Sequence, residues 1–101
     1  MNPYELMMLF DPALGDEKIS VIAAKVEDKI KGFGGEITKI DKWGVRRLAS
    51  MLGNAPKLHS AYYILVLFNS ATNLPAQLQK VLKVEENIIR FAIIRAEEKK
   101  A

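Results

Sequence analysis

The chain has no cysteine and a single histidine, His59, among its 101 residues. It therefore forms no disulfide, offers no thiolate to a metal or a substrate, and cannot assemble a multi-histidine metal site. No apolar run approaches the roughly 20 residues that a bilayer-spanning helix needs. The N-terminal residues Met1–Glu5 lack the basic start of a secretion signal. These absences predict a soluble, intracellular protein, and no metal or cofactor is expected.

The composition is that of a small globular domain with a mild excess of positive charge. Half of the residues are hydrophobic and 27% are charged, so the chain can bury a single modest core. The net charge is +3 and the pI is about 9.2. That excess permits a nucleic acid or an acidic protein as a partner, but it does not require one.

The first half of the chain predicts a strand, a helix and a second strand. Residues 4–10 form an apolar run of strand length, which Asp11-Pro12 ends. Asp16 is the predicted N-cap of a helix, and Gly34-Gly35 is its predicted end. Apolar residues recur at spacings of three and four between these two points: Ile19, Ile22, Ala23, Val26, Ile30 and Phe33. A second extended segment runs from residue 36 to about residue 52, with a bulge predicted between Ile37 and Ile40 because strict alternation fails there.

The second half predicts a strand, a helix and a last strand. Residues 53–56 read as a turn, and residues 61–68 are the most strand-like segment of the chain. Thr72 or Asn73 is the predicted cap of a short helix that has Pro75 in its first turn. Its predicted apolar stripe consists of Leu74, Leu78, Val81 and Leu82. Residues 88–95 form the last strand, and residues 97–101 are a polar tail.

This order of elements predicts an α+β, ferredoxin-like βαββαβ fold for residues 1–96, a single domain followed by the short C-terminal tail at 97–101. Its four-stranded antiparallel sheet carries both helices on one face, so the other face is open. Residues 61–68 are nevertheless apolar at positions of both parities, which is unusual for a strand with one solvated face. Either a partner covers part of the open face, or this is a central strand with exposed tyrosines.

A series of short motifs in this order resembles the bacterial small-subunit ribosomal protein S6 family. They run along nearly the whole chain: Tyr4-Glu5, Asp11-Pro12-Ala13-Leu14, Gly34-Gly35, Trp43-Gly44-Val45-Arg46-Arg47-Leu48-Ala49, Tyr62-Tyr63, Asn87-Ile88-Ile89-Arg90 and Ile93-Ile94-Arg95. The resemblance implies an RNA-binding structural protein of the ribosome, without catalysis. It further implies binding to the central domain of small-subunit ribosomal RNA as a heterodimer with ribosomal protein S18.

Seven basic residues are candidates for contact with the RNA: Lys42, Arg46, Arg47, Lys57, His59, Arg90 and Arg95. A guanidinium suits phosphate because its planar donors form bidentate hydrogen bonds. Adjacent strand residues face opposite ways, so only one arginine of the pair Arg46-Arg47 readily reaches the open face. Arg90 and Arg95 are five positions apart and also face opposite ways. The alternative for these arginines is a salt bridge, to Glu36, Asp41 or a helix carboxylate for the pair and to Glu85 or Glu86 for Arg90.

Other function classes on this scaffold need features that the chain lacks. An acylphosphatase needs a glycine-rich phosphate loop with an arginine after the first strand, whereas residues 10–15 are acidic and contain a proline. A metal chaperone needs paired cysteines, and nothing in the sequence indicates the ligand of a small regulatory domain. An RNA-recognition motif needs a basic-Gly-aromatic signature that residues 60–65 do not contain. The aromatic residues Tyr4, Trp43, Tyr62, Tyr63 and Phe91 are therefore expected in the core or at a protein interface.

Overall fold

The computed structural model describes residues 1–47 and 60–96 of the chain. Its strands are β1 (Asn2–Phe10), β2 (Glu36–Arg47), β3 (Ser60–Ser70) and β4 (Ile88–Arg95), and its helices are α1 (Asp16–Gly32) and α2 (Leu74–Lys83). A single 3₁₀ turn, Pro12–Leu14, joins β1 to α1. The predicted turn at residues 53–56 and the tail at 97–101 lie outside the described residues.

The four strands form one sheet in the order β2-β3-β1-β4, and every neighbouring pair is antiparallel. Side chains of one parity pack with the inner faces of both helices into the main core. On the two central strands these are Tyr4, Leu6, Met8, Phe10, Ile64, Val66 and Phe68. The predicted α+β architecture with both helices on one face is therefore confirmed. We call the two sides of the sheet the helix face and the open face.

The start of α1 differs from the prediction, whereas its predicted end at Gly34-Gly35 is confirmed. The N-cap is Gly15, at φ +86°, and Asp16 is the first helical residue instead of the cap. A carboxylate in the first turn still complements the positive end of the helix dipole. At the other end Phe33 caps the helix and is 39% exposed, so it does not belong to the buried stripe. Gly34 then turns the chain at φ +95°, a conformation that glycine adopts without steric cost.

Helix α2 follows its predicted pattern closely. Leu74, Leu78 and Leu82 are buried, with Pro75 in the first turn. Asn73 is the N-cap, but its side chain makes no capping hydrogen bond. No helix in the described part of the chain is long and apolar enough to cross a membrane.

Two register shifts interrupt the pairing of β2 with β3. The first lies between Ile37 and Lys39, which confirms the predicted bulge and brings Ile37 and Ile40 to the same face of the sheet. The second lies between Lys42 and Gly44 and was not predicted from the sequence. There two residues of β2 advance against one residue of β3, so Trp43 is the extra residue of a bulge.

Candidate nucleic-acid and partner interface

The bulge at Trp43 decides which arginine reaches the open face. In an unbroken strand, residues 43 and 46 would lie on opposite faces because they are three positions apart. With the extra residue, Gly44 pairs with Tyr63 and Arg46 pairs with Ala61. Ala61 and Tyr63 belong to a small apolar cluster on the open face, away from the helices. Arg46 is therefore the member of the arginine pair that lies on the open face.

Trp43 is held on this face by two contacts. Its indole ring stacks on the ring of Tyr63, with the centroids 6.1 Å apart and the planes 8° from parallel. Its Nε1–H donates a hydrogen bond of 3.2 Å to Oδ2 of Asp41. Tyr63 is 7% exposed and Trp43 is 40% exposed, so the indole covers the tyrosine and keeps one side toward solvent. The alternative of exposed tyrosines on β3 is therefore wrong for Tyr63, which Trp43 and its neighbours bury.

Arg46 lies against this stack. Its guanidinium carbon is 5.9 Å from the centroid of the Trp43 ring, within the range of a cation–π contact. Among the described residues, Arg46 pairs with none of the carboxylates proposed for it, which were Glu36, Asp41 or a helix carboxylate. Asp41 accepts the indole hydrogen bond instead, and Glu36 pairs with Asn69 at the far end of the strand, about 30 Å away. The guanidinium donors of Arg46 therefore remain available within the part of the chain that the structure describes.

A groove crosses the open face from Trp43 to Arg90. Tyr63 and Leu9 pair with each other in the centre of the sheet, and Leu9 also pairs with Arg90 on β4. Trp43 and Arg90 thus stand at opposite edges, three strand spacings or about 14 Å apart. The groove between them has a volume of about 350 Å³, and its lining is almost wholly apolar: Met7, Leu9, Trp43, Tyr63, Arg90, Phe91 and Ala92.

Toward the other end of the strands, the open face has apolar residues beside the charged residues Glu5, Lys39 and Asp41. Met7 pairs with Leu65, and both are half-buried. Ile94, opposite Glu5 on β4, is 41% exposed. An antiparallel sheet with one solvated face usually carries polar residues there. This face is apolar at its centre and carries the cations Arg46 and Arg90 at one end.

Two predicted basic residues lie on the helix face instead. Lys42 pairs with Ile64, and its Nζ donates to Oγ of Ser20 on α1 at 3.1 Å. Arg95 pairs with Tyr4, and its Nη2 donates to Oδ1 of Asn2 at 2.6 Å. Lys42 and Arg95 therefore do not share a face with Arg46 and Arg90. Arg90 and Arg95 face opposite ways, as their spacing predicts.

The remaining candidates are Arg47, Lys57 and His59. Arg47 pairs with Ser60 at the end of β2, which fixes the position of its backbone. Lys57 and His59 lie outside the described residues. The alternative for Arg90, a salt bridge to Glu85 or Glu86, is absent among the described residues. Oε1 of Glu85 accepts hydrogen bonds from the backbone and side-chain nitrogens of Asn87, at 3.4 and 3.2 Å.

The loop after β1 is unsuited to holding a phosphate. Asp11 caps the 3₁₀ turn, and its Oδ1 accepts a hydrogen bond of 2.9 Å from the backbone nitrogen of Ala13. A carboxylate thus already occupies a donor that an anion would use. Within residues 1–47 and 60–96, no three His, Cys, Asp or Glu side chains form a group that could hold a metal ion.

The aromatic residues divide between the two faces. Tyr4 stacks on Phe68 in the main core, with centroids 5.6 Å apart, and Phe91 packs against the same core. The expectation of a core position is confirmed for these residues. The stack of Trp43 on Tyr63 was missed, and the signal for it is the dipeptide Trp43-Gly44, because a glycine at positive φ commonly accompanies a bulge.

Comparison with known proteins finds relatives along nearly the whole chain. The family model described as Ribosomal protein S6 matches residues 3–95. Small ribosomal subunit protein bS6 of Thermoanaerobacter pseudethanolicus is 35% identical over 98 residues, covering 97% of this chain and 100% of the relative. The protein of the same name from Clostridium acetobutylicum is 36% identical over 97 residues, covering 96% of this chain and 99% of the relative.

Among solved structures, the crystal structure of 30S ribosomal protein S6 from Thermotoga maritima superposes with a TM-score of 0.87 at 22% identity. The superposition covers 98% of this chain and 91% of that one. At this level of identity the likeness shows a shared fold.

Proposed function

The chain belongs to the ribosomal protein S6 family, and from this premise we propose that it binds the central domain of small-subunit ribosomal RNA together with ribosomal protein S18. Its relatives are named proteins of the small ribosomal subunit, so its role is structural and not enzymatic. The proposal places it in cytoplasmic ribosomes and includes no cofactor.

The observation that carries the proposal is an uncovered sheet face with an apolar centre and a cationic end. Half-buried Met7 and Leu65 and exposed Ile94 offer S18 a surface that is costly to leave in water. Arg46 lies beyond this surface, at the end where β2 and β3 lead into residues 48–59. We assign the apolar centre to the protein partner and the end with Arg46, Arg47, Lys57 and His59 to the RNA.

The charge of the chain favours joint binding over independent binding. Affinity for RNA rises with the number of phosphates neutralised, and a net charge of +3 supports few such contacts. A basic partner seated beside Arg46 would supply further contacts. Each protein would then complete the RNA site of the other, which makes binding cooperative.

The RNA site is tested by the affinity of the purified protein for the central-domain RNA, measured with and without S18 over a series of salt concentrations. We expect weak binding alone and much tighter binding with S18. The double variant Arg46→Ala/Arg47→Ala should bind less tightly. Its slope of log affinity against log salt should fall by roughly 0.7–0.9 for each phosphate that the variant no longer neutralises.

The matched control is Lys18→Ala/Lys25→Ala, which removes the same charge from exposed positions on α1. It should retain the slope of the original protein. Equal losses of affinity in the two variants would show that only the net charge matters and would contradict the assignment of the cationic end. Circular dichroism checks that both variants fold.

The protein partner's site is tested by placing a charge on the apolar centre. Ile94→Asp puts a carboxylate on the open face and should weaken binding to S18 by tenfold or more, since about 1.4 kcal/mol already corresponds to tenfold. Val84→Asp is the control, because Val84 is 78% exposed beyond the end of α2. If Ile94→Asp binds S18 as tightly as Val84→Asp does, the partner does not dock on the open face.

A further inference from the structure

Three contacts converge on one side chain at the cationic end of the open face. The Trp43 ring is stacked on Tyr63, its nitrogen is bonded to Asp41, and the guanidinium of Arg46 lies 5.9 Å from its centroid. Tyr63 is buried, so the surface on which the indole rests is part of the folded sheet. The indole is thus fixed from below and from its edge, while Arg46 rests against it.

We propose that Trp43 is a positioning residue, which orients the guanidinium of Arg46 for a phosphate of the RNA before the RNA binds. The inference rests on the proposed function, because it assumes that Arg46 contacts RNA. Trp43 acts on the orientation of Arg46 in the free protein, and the indole itself is not proposed to contact RNA.

The physical reason is the cost of ordering an arginine. A free arginine side chain populates many rotamers, and part of this rotamer entropy is lost when the side chain binds a ligand in one geometry. An arginine that already rests on an aromatic ring loses less upon binding. Among the described residues the guanidinium donors of Arg46 have no hydrogen-bond partner, and these are the donors that bind phosphate bidentately.

The hydrogen bond to Asp41 also supports the positioning role of Trp43. Asp41 lies on the same strand and the same face as Arg46, so a salt bridge between the two was a plausible alternative. Here its Oδ2 accepts the indole N–H instead, so it fixes the ring rather than neutralising Arg46. The bulge that brings Trp43 and Arg46 to the same face is the backbone feature on which the arrangement depends.

The first measurement concerns the free protein. Trp43 is the only tryptophan of the chain, so its fluorescence reports on this site alone. Arg46→Ala should expose the ring and increase its quenching by acrylamide. Lys25→Ala, which removes the same charge from α1, should leave the quenching unchanged. If Arg46→Ala and the original protein are quenched equally, Arg46 does not rest on the indole in solution and the proposal is wrong.

The second measurement is a double-mutant cycle on the complex with S18 and central-domain RNA. Trp43→Leu should weaken RNA binding by about two- to fivefold, the range that a cation–π contact of about 0.5–1 kcal/mol corresponds to. In the Arg46→Ala background the same substitution should have no effect. Trp43→Phe, which keeps an aromatic ring beneath the arginine, should recover most of the affinity.

The outcomes separate this inference from the proposed function. Equal losses of affinity from Trp43→Leu in both backgrounds would mean that the indole acts without Arg46 and would overturn the positioning role. Unchanged RNA binding of Arg46→Ala would overturn it as well, although the complex would still form. If the unmodified protein with S18 failed to bind the RNA, the proposed function itself would be wrong.

Discussion

A methyl group added at Gly35 would enter space that the main core already fills. An ideal Cβ there would lie 2.7 Å from Cγ2 of Ile30, 3.0 Å from Cδ1 of Leu74 and 3.1 Å from the carbonyl oxygen of Ile30. Ile30 is 0% exposed and Leu74 is 1% exposed, so neither side chain can swing into solvent. The carbonyl oxygen is held as well, since it accepts the backbone N–H of Gly35 at 2.8 Å.

Gly35→Ala should therefore lower the free energy of unfolding by about 1–3 kcal/mol, the usual cost of forcing an extra carbon into a packed core. For a domain of this size the midpoint of thermal unfolding should fall by roughly 5–20 °C. Urea denaturation followed by far-ultraviolet circular dichroism measures the first quantity, and a thermal scan measures the second.

Two neighbouring glycines provide the controls. Gly32 has nothing within 4 Å of an added Cβ and no positive φ, so Gly32→Ala should stabilise the protein by about 0.5–1 kcal/mol. Gly34 is equally open but has φ +95°, so Gly34→Ala should cost about 1–3 kcal/mol through backbone strain alone. If Gly35→Ala unfolds at the same urea concentration as the original protein, Ile30 and Leu74 do not pack tightly against Gly35.

Two further pairs of substitutions test the helix and the turn. Leu78→Ala should lower the free energy of unfolding by about 2–5 kcal/mol because Leu78 is fully buried, whereas half-buried Val81→Ala should cost clearly less. Equal destabilisation in urea would contradict the assignment of the buried stripe. Asp11→Ala should cost about 0.5–2 kcal/mol because it removes a cap, and Asp16→Ala only about 0.3–1 kcal/mol, because Asp16 does not cap α1. If Asp16→Ala lowers the free energy of unfolding more than Asp11→Ala does, Asp16 acts as the N-cap of α1.

The order and the type of the elements could be read from the sequence. Periods of three to four residues in α1 and α2, and strand-like runs before and after them, are local patterns that depend only on which residues lie close along the chain. The bulge between Ile37 and Ile40 was also predictable, since these two apolar residues break the strict alternation of a strand. The bounds of β4 were predicted as they are observed, from Ile88 to Arg95. The short motifs along the chain also allowed its family to be predicted.

The N-cap of α1 could be identified only from the backbone conformation. The residue types favoured Asp16, but the chain enters the helix through Gly15 at φ +86° after a 3₁₀ turn that Asp11 already caps. A capping preference states which side chain is able to bond the free amides. It does not state where the first helical turn begins, because that depends on how the preceding turn packs.

The candidate site was decided by tertiary structure. Whether Arg46 or Arg47 reaches the open face depends on the bulge at Trp43, and a bulge is defined only by the register of β2 against β3. Likewise Lys42 meets Ser20 on α1, a contact between residues 22 positions apart. Sequence spacing fixes the alternation of side chains within one strand, but only pairing with the next strand and packing of the helices fix which face is left open.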